Sequence, residues 1–233
     1  MDKLVIIGAG GHAKVALDIA ILMDNWSEIV FLDDYKTGEI MGYSINGKIS
    51  DSHLYKNSHD FFVAIGDNET RKKIQNHLIN DDFSIISLLH PYAIISKYSK
   101  IGQGSIVMAG SIINPNVYVG QGTIINTNSS IDHDCNIGDF VHISPGVTIG
   151  GTSSIGSYSW IGLGSNIINN INVGSDCIIG AGSNVISDIE KNRTAFGNPC
   201  VAIKTRLENW GGYESISSYN HYKYSRGFFN ASY

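Results

Sequence analysis

The chain has 233 residues, a formal net charge of -5, 42% hydrophobic and 16% charged residues, and 26 glycines against 4 prolines. That hydrophobic fraction excludes a disordered chain, and the acidic balance argues against general nucleic-acid binding, which needs a basic face. The early apolar run Leu4–Ile7 stops at Gly8, no stretch approaches the roughly 18–20 apolar residues of a membrane span, and Cys135, Cys177 and Cys200 lack paired spacing. The expectation is a reduced, cytoplasmic protein without a signal peptide, a membrane insertion, a disulfide framework or a metal site.

The predicted elements begin with a buried parallel strand over Lys3–Ile7. The loop Gly8-Ala9-Gly10-Gly11-His12-Ala13 follows, and Lys14–Met23 has helical spacing. Ile29–Leu32 reads as a second strand ending at Asp33-Asp34, and Phe61–Ile65 as a third. Gly66-Asp67-Asn68 opens a helix that runs to about Leu78. Phe83–Leu89 reads as a fourth strand, and His90-Pro91 marks a boundary. Strands alternating with helices imply an open parallel α/β sheet of Rossmann-like type.

Gly8, Gly10 and Ala13 match G-x-G-x-x-A, and Asp33 follows as the acid. In that fingerprint helix amides hold phosphate and the carboxylate holds ribose. Taken alone it would indicate an NAD-dependent oxidoreductase. No second mononucleotide-binding half follows, however, so the loop fits the phosphates of something smaller than NAD. The bland alternative is a tight strand-to-helix turn and nothing more.

The second half is a repeat. From Ile95 to Val185 the first residue of every block of six is Ile or Val, sixteen times without a gap. The fifth residue is always small or β-branched, from Ser99 to Ile189, and the second is glycine in eight blocks. Such a period suits a solenoid of short strands whose branched side chains stack into one core. The glycines are expected at turns that other residues resist.

Only His133 and His142, of eight histidines, lie in the repeat. His133 stands in Ile131-Asp132-His133-Asp134-Cys135, where Ile131 and Cys135 point inward and the three residues between them outward. A carboxylate beside an imidazole fixes its tautomer and raises its basicity, which suits a general base. Either Asp132 or Asp134 could be that carboxylate, and a solvated polar corner is the alternative without function. His142 is about half a coil away and should face another direction. Lys191, Arg193, Lys204 and Arg206 form a basic cluster that would suit a phosphate or merely an exposed charged face.

The repeat resembles the hexapeptide-repeat acyltransferases, left-handed parallel β-helices with three hexads to a coil that transfer acetyl groups from acetyl-CoA within trimers. The likeness runs from Ile95 to about Lys204, and Phe196-Gly197-Asn198-Pro199-Cys200 is similar to the closing Gly-x-Pro-Ala stretch of that family, with Cys200 in place of alanine. Together with the Gly-x-Gly-Gly-His loop and Asp33-Asp34, the chain resembles a subgroup from Lys3 onward. That subgroup holds the N-acetyltransferases of nucleotide-linked 4-amino sugars and the sialic acid O-acetyltransferases.

The resemblance implies a Rossmann-like nucleotide-sugar-binding domain over residues 1–91 and a left-handed β-helix over 92–206. It implies His133 as catalytic base with Asp134 as its acidic partner. Gly10, Gly11 and His12 would hold the diphosphate, Asp33 and Asp34 the base and ribose, with Gly66 and Asn68 nearby. His142, Gly151, Leu163, Ala181 and Gly197 would line the acetyl-CoA groove. The implied reaction is N-acetylation of a nucleotide-linked 4-amino-4,6-dideoxy sugar for bacterial glycan biosynthesis, by a homotrimer with sites between subunits. O-acetylation of sialic acid or a related sugar is the alternative chemistry, and a non-catalytic nucleotide-binding scaffold the alternative class. The extension over 207–233, with eight aromatic residues, departs from the family and could cap the solenoid or cross to a neighbour.

Overall fold

The structure, a computed structural model, describes residues 2–205. The expectations for the extension 207–233 and for Arg206 lie outside the described residues, as does the side chain of Lys204.

The N-terminal region is a small α/β sheet. Strand β1 (Asp2–Ile7) lies between parallel neighbours β2 (Trp26–Leu32) and β5 (Asp60–Val63), and the hairpin β3 (Gly38–Ile40) and β4 (Tyr43–Ile45) extends it beyond β2. Leu4 to Ile7, Phe31, Leu32 and Phe61 to Val63 are buried on both faces, as near-continuous apolar runs in a covered parallel sheet should be. Helix α1 (Gly11–Met23) begins within the glycine motif rather than after it, so His12 and Ala13 belong to its first turn. The capless entry at Gly10 leaves the first amides of α1 without a side-chain acceptor. The hairpin, and a short 3-10 helix at Ile49–Leu54, had no clear apolar period and escaped the sequence reading.

Helix α2 (Asn68–Asn80) is capped by the Asp67 carboxylate, which accepts from the Thr70 amide. The expected fourth strand over Phe83–Leu89 does not form as one piece. Ile85 makes a single bridge to Phe61, while Leu88–Leu89 pair with Ile106–Val107 of the solenoid. The run divides between packing clusters: Phe83 and Ile85 lie against the core of β1, β5 and α2, Ile86 and Leu88 join the core beneath α1, and periodicity does not say which sheet receives its hydrogen bonds.

From Leu88 the chain winds as a left-handed parallel β-helix with three flat faces. Residues eighteen apart pair in register, as in Ile112↔Ser130 and His142↔Trp160. The first face carries Leu88–Leu89, Ile106–Val107, Ile124–Ile125, His142–Ile143, Trp160–Ile161 and Ile178–Ile179. The second runs from Ile94–Ile95 to Asn184–Val185, the third from Lys100–Ile101 to Asn172–Val173. The first residue of each hexad from Val107 to Val185 is buried and forms one stacked core with Cys135, Cys177 and Cys200. Each such side chain contributes about 1.5–3 kcal/mol of burial. Most fifth-position serines point inward too, and the hydroxyls of Ser105, Ser111, Ser153, Ser159 and Ser165 donate to carbonyls of the neighbouring coil, while those of Ser129 and Ser183 donate within their own turn.

The reason for the second-position glycines needs correcting. They do not sit at left-handed turns. A Cβ on Gly102 would lie 2.5 Å from the Gln121 amide nitrogen of the next coil, so close stacking of coils requires them. The left-handed conformation falls at the fourth position, which holds Gly104, Asn116, Asn128, Asp134, Thr152 and Asn170 among others.

The two regions share a core. Leu88, Ile106, Met108 and Ile124 of the first face pack with Ala13, Ala16, Leu17 and Ala20 of α1. Arg71 and Asn68 of α2 reach the edge between the third and first faces.

Candidate active site

His133 lies on the edge between the second and third faces, in the turn after Ser130–Ile131. Ile131 and Cys135 anchor that turn inside, and the imidazole is about half exposed, at 56%. Its Nδ1 is 2.8 Å from Asp134 Oδ2, whereas Asp132 Oδ2 is 3.9 Å from Nε2. Of the two carboxylates that the local residues left open, the geometry pairs His133 with Asp134, the one the family resemblance implies. Asp134 accepts a hydrogen bond from Nδ1–H, which leaves the lone pair on Nε2. Asp132 accepts from the His133 backbone N–H and from Asn114. Hydrogen bonding to Asp134, then the Asp132 charge, raises the His133 pKa above its usual value. The His133 and Asn116 hydrogen bonds hold the Asp134 carboxyl below its usual range.

An open concavity lies at this turn, lined by Asp132, His133, Gly150, Gly151, Thr152, Ile168 and Asn169. Gly151 is the floor under the imidazole, since a Cβ there would come within 2.8 Å of His133 Cε1 and Nε2. Of the expected acetyl-CoA residues, the structure brings only Gly151 to His133. Leu163, Ala181 and Gly197 are exposed along the edge between the first and second faces. His142 is on the first face.

The surroundings of His142 were not legible in the sequence. Its ring stacks on Trp160 at 6.0 Å, and the Asn126 amide lies 3.2 Å from its Nε2. Asn126 Oδ1 already accepts from the Thr127 amide, so Asn126 donates and His142 keeps its proton on Nδ1. Burial, followed by the charges of Arg71 and His12, pushes the His142 pKa down to about 3. His12, across the domain junction, is pushed down to about 4 by burial and Arg71, and its Nε2 is enclosed without a hydrogen-bond partner. The glycine loop and the upper first face thus form one neutral, histidine-lined wall.

The other nucleotide-side residues serve the loop itself. Asp33 Oδ2 accepts from the Ala9 amide, and Oδ1 from the Tyr35 and Lys36 amides. Burial pushes its carboxyl up, but these three donors outweigh it and hold the carboxyl low. Asp34 accepts from the Ile49 amide. The Asn68 amide donates to the Tyr158 and Ser159 carbonyls, and its oxygen accepts from Arg71, so this side chain is engaged in joining the domains. Gly10 and Gly11 have open space where a Cβ would stand, and so does Gly66.

In the basic cluster, Arg193 pairs with Glu190. The three cysteines are buried, and burial raises the thiols of Cys135 and Cys200, which disfavours a thiolate nucleophile. Among the described residues no cluster of His, Cys, Asp and Glu could hold a metal, and no helix is long and apolar enough to cross a membrane.

A hexapeptide β-helix with an imidazole–carboxylate pair on one edge, joined to a glycine-loop α/β domain, defines an acyltransferase architecture. Comparison with known proteins agrees. Residues 3–78 match the family described as the PglD N-terminal domain. The acetyltransferase domain of PglB from Neisseria gonorrhoeae FA1090, solved with acetyl coenzyme A, is 38% identical with a TM-score of 0.84, covering 86% of this chain and 98% of that one. A mutant of perosamine N-acetyltransferase from Caulobacter crescentus, solved with CoA and GDP-perosamine, is 32% identical with a TM-score of 0.85, covering 88% and 98%. UDP-N-acetylbacillosamine N-acetyltransferase of Bacillus subtilis (strain 168) is 36% identical over 115 residues, which are 47% of this chain and 52% of that protein. The chain thus spans about half the length of that curated relative. It belongs to the hexapeptide-repeat sugar acyltransferases, in the family of the sialic acid O-acetyltransferases and nucleotide-4-amino-sugar N-acetyltransferases.

Proposed function

We propose that the protein is an acetyl-CoA-dependent N-acetyltransferase acting on a nucleotide-linked 4-amino-4,6-dideoxy sugar. The observation that carries this reading is the His133–Asp134 pair, with its free Nε2 turned toward an open concavity. A neutral amine must shed one proton as its nitrogen bonds to the thioester carbonyl carbon. An imidazole whose proton affinity is raised by a hydrogen-bonded carboxylate is matched to that task. Nε2 accepts the proton as the sugar amine forms its bond to the acetyl carbonyl carbon. A backbone N–H stabilises the resulting oxyanion. The carbon–sulfur bond then breaks, and the thiolate takes back the proton from His133. Asp134 keeps the ring in the reactive tautomer and supports the imidazolium.

The acceptor's diphosphate rests on the amides of Gly10 and Gly11 at the start of α1, with His12 beside it and Gly66 close by. Pantetheine runs past Gly151, and along the edge of Leu163, Ala181 and Gly197. These groups do not share one edge of one chain. The N-terminal domain covers the first face, and His133 stands on the opposite edge, between the second and third faces. A homotrimer resolves this by placing the His133 edge of one subunit against the acceptor domain of the next. Ile94 and Ile112 on the second face and Tyr118 on the third, 67%, 37% and 48% exposed, support association through these faces.

The test is free-thiol release from acetyl-CoA with UDP-, dTDP- and GDP-linked 4-amino sugars and with free sialic acid, alongside His133→Ala. Turnover with one nucleotide sugar, lost in the variant, is expected. Turnover with sialic acid alone would replace N- by O-acetylation, and nucleotide binding without any thiol release would favour a scaffold.

A further inference from the structure

Arg71 is the most deeply enclosed charge among the described residues, at 1% exposure. Its guanidinium has five N–H groups, and all five are used. Nε donates to the Gly122 carbonyl at 2.7 Å, Nη1 to Ile65 and Gly66 at 3.0 Å each, and Nη2 to Asn68 Oδ1 at 2.7 Å and Phe140 at 3.3 Å. Every acceptor is a neutral oxygen. The carboxylate that acts on it is Asp67, which is exposed, caps α2 and forms no ion pair with it. A buried guanidinium is normally matched to a carboxylate. Burial lowers its pKa only to about 9, so it stays charged at neutral pH.

The position of this charge gives it a use. Three acceptors, Ile65, Gly66 and Asn68, belong to the loop and helix start beside the glycine motif, where Gly8 abuts Ala64 and Ile65. The other two, Gly122 and Phe140, belong to the solenoid, with Phe140 two residues before His142. His12 and His142 both lie within the reach of its field, and each is neutral. The acidic group at the loop, Asp33, is already held by three amides, and Lys36 Nζ donates to the Ala9 carbonyl beside it.

We infer that Arg71 is a positioning residue that ties the acceptor domain to the solenoid and supplies, without touching the ligand, the positive field that selects a diphosphate over less charged acceptors. Its exhausted donors exclude direct contact. The α1 amides make the hydrogen bonds, and Arg71 supplies the net charge that neutral amides and neutral imidazoles lack. The inference rests on the acceptor-site reading above.

The experiment measures binding of a charge series, uridine, UMP and UDP (and the same series for thymidine and guanosine), to the wild-type protein and to Arg71→Gln and Arg71→Lys by calorimetry. For the base that binds, Arg71→Gln is expected to weaken the diphosphate about tenfold, the monophosphate less, and the nucleoside by no more than about twofold. Arg71→Lys, which keeps charge but not the five-bond fork, should retain the diphosphate within about threefold. A loss equal across the series would show a purely structural role and overturn the inference, as would unchanged diphosphate binding in Arg71→Gln. If Arg71→Gln does not fold, Arg71→Lys decides: a kept preference for diphosphate supports the inference, and a lost one overturns it. If the wild type binds none of the nine compounds, the acceptor-site reading fails first.

Discussion

The edge that carries His133 and the junction that encloses His12 and His142 use the same side chain to opposite ends. On the edge, the imidazole is open to water and bonded to a carboxylate, and its affinity for a proton rises. At the junction, partly buried imidazoles lie in a desolvated setting near a guanidinium, and their affinity falls to pKa values of about 4 and 3. A base must take up a proton during turnover, so it needs a counter-charge and an exit to the reacting atoms. A recognition surface for a polyanion needs fixed hydrogen-bonding groups whose charge does not vary with pH. Solvation and the sign of the neighbouring charge are enough to make these two environments from one residue type.

The sharpest way to break the comparison is His133→Ala. Thiol release should fall by about 10²–10⁴-fold while nucleotide affinity is unchanged. A variant with full activity would move the base elsewhere, and His142 is a poor replacement because its proton affinity is pushed far down. Next in size is Gly151→Val. Because a Cβ at this site already reaches within 2.8 Å of the imidazole, the added side chain should turn the ring off Asp134 and lower kcat by at least about tenfold, with circular dichroism unchanged.

Asp134→Asn sharpens the contrast further. Asparagine tolerates the left-handed φ of 60° found there, so the turn should survive. Removing the carboxylate lowers the His133 pKa toward its ordinary value. The acid limb of the kcat/KM–pH profile should therefore shift to lower pH, and kcat should fall. Asp132→Asn should shift the limb less, since its carboxylate is 3.9 Å from Nε2.

The smallest effect concerns stability. His12 and His142 have folded pKa values below the ordinary value of 6.5, so the unfolded chain binds their protons first. Their contribution is complete above about pH 6.5 and is lost as pH falls toward 4 and then 3, at up to about 1.4 kcal/mol per pH unit for each histidine. Urea unfolding of His142→Asn should show a shallower loss over that window than the wild type. An equal slope would mean that His142 titrates normally in the folded protein.

Much of this architecture was readable before any coordinates. The hexad period is set by one stacked column of Ile and Val, and such a column has no other economical packing. The glycine loop and the apolar runs of β1, β2 and β5 announced the parallel sheet. The run Phe83–Leu89 was read as one strand although its apolar residues divide between separate packing clusters, and the hairpin at Gly38–Ile45 has too short an apolar signal. His133 stood out because Ile131 and Cys135 fix which residues must face out. The pairing with Asp134 rather than Asp132 depends on a left-handed backbone turn, a torsion that composition does not encode.

The reach of Arg71 was still less accessible. It lies in a helix whose sequence, Asn68–Asn80, is mostly polar, and it would be read as an exposed cation. Local pattern was sufficient for the repeat, the fold of each half and the histidine in the outward turn, because all three follow from interactions within one or two coils or one strand–helix unit. The neutral wall of His12 and His142, the desolvation and the enclosed charge that keep it neutral, and the separation of that wall from the His133 edge came from the docking of α1 and α2 on the solenoid. That docking joins residues 51 to 91 positions apart through backbone carbonyls, as in Arg71 to Gly122 and Asn68 to Ser159. Carbonyls are present at every residue, so no sequence pattern marks which of them will be used.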